Sequence, residues 1–255
     1  PVIGEIMTSR WAFEAMSVHQ FKGNRFTREF FDLDQSKFNA IYERDRVSTV
    51  QQILNDVHFS YLDGAEQQGS TPDLKLIRNE LHDLESLGVV ASFGPLSNLR
   101  NDSYNEIFYR QASDSLEEMR NYFRFQMNTY DRKLNALSKS LLNEWGGEEE
   151  FLARKRNYAN KRLEEILLNK GQFVVIWKDH LVRKATPIYQ LPEPAYGRAH
   201  FFAPVKKLGS RQVDTFWFNL AIIWLSTLVF YITPVYDLLR KFTNWNRIRR
   251  LRKSK

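Results

Sequence analysis

An uncharged, apolar run of 22 residues lies near the end of the chain, from Thr215 to Tyr236. At 1.5 Å per residue, a helix of this length spans about 33 Å, which matches a hydrocarbon core about 30 Å thick. Its eleven Leu, Ile, Val and Phe residues favour membrane insertion by roughly 3–7 kcal/mol before the cost of polar groups. Buried helices of soluble proteins seldom run this long without a charge. The sequence therefore predicts one transmembrane helix, over 213–239.

Several residues of this run have side chains that suit a membrane helix. Trp217 and Tyr231 lie toward its ends, where aromatic belts form, and Trp224 lies between them. Asn219 is a polar position that a partner helix could satisfy. Pro234 falls in the last turns, where a kink costs least. We expect these residues to anchor and pack the helix.

Before this run, the spacing of apolar residues predicts mainly helices. One helix is expected over Lys37–Tyr61. A second is expected to start at Thr71-Pro72, with Thr as the N-cap and Pro in the first helical position, and to stop at Gly88. The run Phe173–Trp177 is rich in β-branched residues and predicts a strand or a buried segment.

The most regular pattern lies over 113–170. A capping box at Ser115–Glu118 is followed by apolar residues at spacings of three or four. Gly146-Gly147 interrupts this pattern, and a second helix is expected from Glu148 to Lys170. Two helices joined in this way predict an antiparallel αα-hairpin, which usually serves as a stalk or bundle.

The first 21 residues form an apolar segment that is too short to span a bilayer. It could be a core helix, a re-entrant helix or an interfacial helix. Arg10 and Glu14 are spaced i, i+4 and can pair on one helix face. We expect a semi-buried structural pair near a membrane, or a surface ion pair of little energetic value.

The net charge of +7 comes from the end of the chain. From Arg240 and Lys241 to Lys255 there are eight basic and no acidic residues, so the other 239 residues hold 29 basic and 30 acidic groups. The basicity therefore indicates membrane topology rather than nucleic-acid binding. The N-terminal flank of the apolar run has three basic residues, Lys206, Lys207 and Arg211. Positively charged flanks of membrane helices favour the cytoplasmic side. Because eight basic residues follow the apolar run and three precede it, we expect the C-terminus in the cytoplasm and the bulk of the chain outside it.

No motif in the sequence points to catalysis or to a metal. The absence of cysteine excludes disulfides, thiol catalysis and cysteine-ligated metal sites. There is no phosphate-binding loop, dinucleotide fingerprint, HExxH or GxSxG motif. The histidines are scattered, and for each a surface or core role is favoured over metal binding: His19, His58, His82, His180 and His200. We expect no enzyme activity and no cofactor in this chain.

Two segments resemble a known transporter family. Ser9-Arg10-Trp11-Ala12-Phe13-Glu14-Ala15-Met16, followed by Gln20-Phe21, resembles a segment after the fifth membrane helix of G-subfamily (White-type) ABC exporter permeases. Pro194–Pro204, read together with Thr215–Asn219, looks like the lead-in to the last membrane helix of bacterial half-transporters of that kind, notably those of Bacteroidetes. In better-known animal members the intervening loop is far shorter and contains cysteines, so the roles of those loops are not transferred.

The resemblance implies a fifth-helix end, a large extracytoplasmic loop, the sixth helix and a cytoplasmic C-terminus. It also implies that ATP and Mg²⁺ bind a nucleotide-binding domain outside this chain, and that two half-transporters dimerise. The chain starts at Pro1 and is interpreted as the C-terminal fragment of a longer protein. A single-pass, membrane-anchored scaffold that binds a partner remains the alternative.

The expected fold is therefore mainly α, with few short strands. The expected localisation is the inner membrane, with most of the chain in the periplasm and in contact with other permease helices and the bilayer. The expected organisation is a membrane-proximal or re-entrant helix (1–21), an extracytoplasmic helical domain (22–212), a transmembrane helix (213–239) and a basic cytoplasmic tail (240–255).

Overall fold

In the computed structural model, two long helices form the most extensive packing interface among the described residues. The structure describes residues 7–63, 71–96, 99, 104–169, 171–192 and 196–237. Within these ranges the chain is mainly helical, as predicted, with short antiparallel strands. The helices are α1 Thr8–Lys22, α2 Thr27–Leu62, α3 Thr71–Glu85, α4 Glu106–Glu144, α5 Glu148–Tyr158, α6 Lys161–Leu168 and α7 Thr215–Val235. The strands are β1 Val174–Trp177, β2 His180–Arg183, β3 Val205–Leu208 and β4 Arg211–Asp214, and a 3₁₀ turn covers Pro187–Tyr189.

The chain divides into two compact units. Residues 21–190 form one unit, which we call the helical unit. Residues 1–20 and 191–255 form the other, which we call the terminal unit because it contains both ends of the chain. From the sequence, 191–212 was expected to belong to the extracytoplasmic helical domain. In the structure, the described residues of this segment group with α1 and α7 instead.

In the helical unit, α2 and α4 run antiparallel along each other. Near one end Lys37 pairs with Asp131 at 2.6 Å, and farther along Gln51 donates to Ser113 at 3.0 Å. Helix α3 packs on α2 through a shared apolar face, since both helices place aliphatic residues at helical spacing. Residues of α2, α3 and α4 together form an apolar core, which includes Val47, Val50, Leu54, Ile77, Leu81, Leu84, Phe108, Leu116 and Met119.

The helix boundaries confirm some predictions and change others. Helix α3 starts at Thr71 as predicted, and Gly88 follows it with φ +68°, a conformation that glycine adopts without strain. Helix α2 begins ten residues before the predicted Lys37. Helix α4 begins at Glu106, where the Asn105 side chain accepts from the backbone N–H of Phe108 at 2.9 Å. The capping box predicted at Ser115 therefore lies inside the helix.

The two helices of the predicted αα-hairpin occur in the predicted order, but they do not pack along each other. Gly146-Gly147 separates α4 from α5, and both glycines have positive φ, as a tight break requires. However, α4 packs along α2 and meets α5 only near this break, where the rings of Trp145 and Phe151 lie 5.6 Å apart. The second helix is also interrupted, because α5 ends at Tyr158 and α6 begins at Lys161.

Within the described ranges, each unit contains one two-stranded antiparallel sheet. In the helical unit β1 pairs with β2, with Val174 opposite Arg183. Of the two alternatives predicted for Phe173–Trp177, a strand or a buried segment, the structure has the strand. In the terminal unit β3 pairs with β4, with Val205 opposite Asp214. Helix α7 follows β4 directly, so the strand pair sets where this helix begins.

Helix α7 is long and apolar enough to cross a membrane. It covers Thr215–Val235, and most of its side chains are exposed on the surface of the molecule. A predominantly apolar helix that is not covered by protein differs from the buried core helix of a soluble domain. The predicted tail 240–255, including Arg240 and Lys241, lies outside the described residues.

Candidate functional site

A buried carboxylate on α1 is the centre of a polar network in the terminal unit. Glu14 is only 2 % exposed, although carboxylates are rarely buried without partners. Its Oε1 accepts from Lys206 Nζ at 2.7 Å and from the backbone N–H of Phe202 at 3.2 Å. Its Oε2 accepts from Asn219 Nδ2 at 2.9 Å. We call Glu14, Lys206, Asn219 and the Phe202 backbone N–H the polar node.

Lys206 is the cation that makes this burial possible. It lies on β3 and is 3 % exposed, and its Nζ is also 5.8 Å from the centre of the Trp11 ring. The aromatic face adds a favourable interaction with the ammonium group. A buried ion pair is held by good geometry and further hydrogen bonds, and removal of one partner is costly because the other charge is left alone.

Asn219 connects the first turns of α7 to the node. Its side chain is fully buried, and besides Glu14 its Nδ2 donates to the backbone carbonyl of Trp11 at 3.1 Å. Its Oδ1 is buried and has no hydrogen-bond partner among the described residues. Two donated bonds from one amide join α7 to α1 at two positions one turn apart, Trp11 and Glu14.

Further hydrogen bonds fix the first residues of α7. The Asp214 carboxylate accepts from the backbone N–H of Phe216 at 3.0 Å and caps the helix. Thr215 Oγ1 donates to the Ala203 carbonyl at 2.6 Å, and the Thr215 N–H donates to the Pro204 carbonyl at 3.3 Å. The start of α7 is therefore held by the segment that precedes β3 as well as by α1.

Gly197 packs directly beneath the same helix. Its φ is +69°, and a Cβ at this position would lie 2.6 Å from Cζ of Phe218 on α7. Its N–H donates to the Lys207 carbonyl at 2.7 Å, which ties the segment to β3. Both the backbone conformation and the close approach of the Phe218 ring require glycine here.

The predicted pair of Arg10 and Glu14 is not formed. The ionic partner of Glu14 is Lys206, whereas the guanidinium of Arg10 lies 5.5 Å from the centre of the Phe201 ring and 5.9 Å from that of Trp11. Residues at i and i+4 can meet on a helix surface, but here α1 buries Glu14 against other segments. In the sequence, Lys206 was noted only as one of three basic residues that precede the apolar run.

The predicted anchors fall into two groups on α7. Trp217, Trp224 and Tyr231 are between 63 % and 67 % exposed, so their rings can face a lipid environment. Asn219 is instead buried in the node, where partners within the chain take its amide protons. Pro234 lies inside the last turn of the helix, as predicted.

The node can position a helix, because its charges and donors find partners within the terminal unit, although Asn219 Oδ1 has none among the described residues. Glu14 bears the negative charge, Lys206 balances it, and Asn219 and Phe202 each donate a further hydrogen bond to the carboxylate. A network of this kind specifies one arrangement of α1, β3 and α7 within this unit.

Comparisons with known proteins give no assignment. No protein-family model matches the chain, and searches of curated proteins and of solved structures found no match either.

Proposed function

We propose that this chain is the C-terminal part of the transmembrane region of an ATP-driven ABC-type exporter. It would contribute a large extracytoplasmic region and the last membrane helix. The observation that carries the proposal is that α7, which is apolar and exposed, starts at a buried node built from segments close to both ends of the chain. A permease needs such a fixed helix entry, because the membrane helices transmit motion to the exit of the pathway.

The arrangement of the resembling segments supports the proposal. Glu14 comes from the segment Ser9–Met16, Phe202 from Pro194–Pro204, and Asn219 from Thr215–Asn219. These three residues meet in the polar node. The segments that look like those flanking the fifth and sixth membrane helices of an exporter are therefore in contact, as they would be at the outer ends of neighbouring membrane helices.

The charge distribution supports a particular sidedness. The eight basic residues after the helix favour a cytoplasmic C-terminus, and the helical unit would then lie in the periplasm of a Gram-negative cell. The exposed face of α7 would contact lipid and the other permease helices, and a second half-transporter would complete the pathway. ATP and Mg²⁺ would bind a nucleotide-binding domain in another part of the protein.

Membrane insertion can be tested on the chain in cells. A lysine in place of Leu225, in the middle of α7, costs about 2.5–3.5 kcal/mol of insertion free energy, and a second lysine in place of Leu228 doubles this cost. We expect the chain to stay in the membrane fraction after alkaline carbonate extraction and the double variant to be released. Leu152→Lys, at an exposed apolar position of α5, serves as the matched control. Release of the unchanged chain by carbonate would contradict the proposal.

Sidedness can be tested with single cysteines, because the chain has none of its own. We expect a membrane-impermeant maleimide to label Ser140→Cys in cells with a permeabilised outer membrane, and to label Ser254→Cys only after the inner membrane is opened. The opposite pattern would overturn the topology and the exporter proposal together.

The exporter assignment itself depends on what is encoded before Pro1. We expect a phosphate-binding loop and five further hydrophobic segments upstream in the same gene. The complete protein should then hydrolyse ATP in detergent, and substitution of the phosphate-loop lysine should abolish this activity. A gene that lacks both features would instead support the alternative.

The alternative is a single-pass scaffold that binds a partner outside the cytoplasm. It is favoured by one observation: the helical unit has an apolar core of its own. Under this alternative, a fragment covering the helical unit, residues 21–190, should be soluble and monodisperse and should capture an envelope protein.

A further inference from the structure

Three potential metal ligands converge in the helical unit, where the sequence analysis assigned none. Glu80 and Asp83 lie on α3, and His180 is the first residue of β2. His180 Nδ1 is 3.7 Å from Glu80 Oε1 and 3.9 Å from Asp83 Oδ2. One donor atom from each of the three residues lies within 4.8 Å of the other two.

The backbone around His180 is held in place independently of any ligand. The turn between β1 and β2 is tied to α3, because Lys75 pairs with Asp179 at 2.7 Å and Asn79 donates to the Asp179 carbonyl at 3.2 Å. The N–H of Leu181 donates to Glu80 Oε1 at 2.7 Å. These bonds come before and after His180 in the chain, so they hold the backbone of His180 beside the carboxylates.

Arg46 on α2 fixes the orientation of both carboxylates. Its Nε donates to Glu80 Oε2 at 2.6 Å and one of its terminal nitrogens donates to Asp83 Oδ2 at 3.3 Å. Hydrogen bonds of this kind from a second layer of residues are typical of carboxylates that bind metals. Arg46 approaches the Oε2 atom of Glu80, so Oε1, the atom nearest the imidazole, keeps a lone pair beyond its bond to Leu181.

The charges at this position leave an excess of negative charge. Glu80 and Asp83 surround the single guanidinium of Arg46, and Glu43 approaches the same group at 3.6 Å. The two carboxylates of Glu80 and Asp83 share the guanidinium of Arg46, which leaves one negative charge that a divalent cation would offset.

We infer that Glu80, Asp83 and His180 form a binding site for a divalent transition-metal ion of the zinc type. One imidazole nitrogen and two carboxylate oxygens at about 2.0–2.2 Å make a three-residue zinc site, in which water takes the fourth position. Ligands of a tetrahedral ion at these distances lie about 3.3 Å from one another. The distances of 3.7 and 3.9 Å are close to this value. Since Asp83 and His180 are 48 % and 52 % exposed, small side-chain rotations can close the site.

The test is metal binding by the full chain in detergent after removal of metals with a chelator. We expect one Co²⁺ per chain with visible absorption bands of tetrahedral coordination, and displacement of Co²⁺ by one equivalent of Zn²⁺. His180→Asn and Asp83→Asn should each weaken binding by about tenfold or more. His82→Gln, which removes an exposed imidazole next to Asp83 on the same helix, should bind as the unchanged chain does.

The midpoint of thermal unfolding distinguishes a variant that has lost a metal-binding residue from one that has lost its fold. Zn²⁺ should raise the midpoint of the unchanged chain and of His82→Gln, and should leave that of His180→Asn unchanged. All three should unfold at the same temperature in chelator. Equal binding by His180→Asn and the unchanged chain would overturn the inference, as would the absence of stoichiometric binding by the unchanged chain. Either result is independent of the exporter proposal.

Discussion

Lys206 Nζ lies 2.7 Å from Oε1 of Glu14, although 192 positions separate the two residues in the chain. Both side chains are almost fully buried. A buried ion pair of this kind makes each charge depend on the other, because water is not available to replace a missing partner. The pair therefore joins the segment before the apolar helix to a helix near the start of the chain.

Removal of both charges of this pair should destabilise the fold less than the sum of the two single removals. Glu14→Gln leaves the buried ammonium without a counter-ion and should cost about 3–5 kcal/mol of unfolding free energy. The double variant Glu14→Gln/Lys206→Met should cost less than the sum of the single variants, by about 2 kcal/mol. The measurement is reversible unfolding of the chain in detergent micelles. Lys207→Met is the control and should shift stability by less than about 0.5 kcal/mol. Additive single effects would show that the two charges are not coupled.

Asn219 should tolerate an apolar substitution better than an acidic one. Asn219→Leu removes two donated hydrogen bonds and also the buried Oδ1 that lacks a partner, so we expect a loss of about 1–3 kcal/mol. Asn219→Asp is nearly the same size but places a second carboxylate against Glu14, so the loss near pH 7 should be larger.

The pH dependence of the stability of Asn219→Asp provides a second test of the contact between position 219 and Glu14. Two adjacent carboxylates repel each other only while both are charged, so this variant should be least stable where both are ionised. Stability should therefore be recovered as the pH falls toward about 4 and lost as the pH rises. Asn219→Leu should show no such recovery. Equal stability of the two variants across this range would contradict the proximity of Asn219 and Glu14.

Gly197→Ala should be more costly than Gly209→Ala. Both glycines have positive φ, +69° and +63°, so alanine is strained at either position by about 1 kcal/mol. Only at Gly197 would the new methyl group meet another side chain, because Cζ of Phe218 lies 2.6 Å away, whereas nothing lies within 4 Å at Gly209. The difference between the two thermal midpoints therefore measures the contact with α7. Equal midpoints would place the Phe218 ring elsewhere.

Asp34 should make the helical unit less stable at neutral pH than at mildly acidic pH. Burial raises the pKa of Asp34 from 3.8 to about 6, partly opposed by the charge of Lys37. The folded state therefore binds the proton more tightly, and the resulting stability is complete below pH 3.8 and lost as the pH rises through about 6. Asp34→Asn should gain roughly 1–3 kcal/mol at pH 7 and should flatten the dependence between about pH 4 and 6.

The control for this prediction is Asp32→Asn, which changes an exposed carboxylate on the same helix. Urea unfolding of the two variants at several pH values gives the comparison. If Asp34→Asn were no more stable than Asp32→Asn at pH 7, the carboxyl group of Asp34 would not be desolvated in the folded chain.

Local features of the sequence predicted much of the fold correctly. The length of the run from Thr215 marked α7, Thr71-Pro72 marked the start of α3, and the β-branched residues from Phe173 marked β1. Each of these features depends on neighbouring residues only, through transfer free energy, capping or backbone preference. The start of α4 was misplaced because the capping box at Ser115 is a local pattern that also occurs inside helices.

Packing partners could not be predicted in the same way. An amphipathic face indicates that α4 must pack against another helix, but the pattern is equally compatible with α5 and α2. The structure selects α2, which is long enough to cover most of α4. The grouping of Glu80, Asp83 and His180 depends likewise on where the turn after β1 meets α3, and no local spacing encodes this.

By itself, the sequence determined that the chain is mainly helical, where its apolar helix lies and how its basic residues are distributed. Only the tertiary structure decided that Glu14 pairs with Lys206 and not with Arg10. The physical reason is that local propensities act over a few residues, whereas a buried charge must find its counter-charge wherever the fold brings one. In this chain the fold brings that charge from 192 positions away.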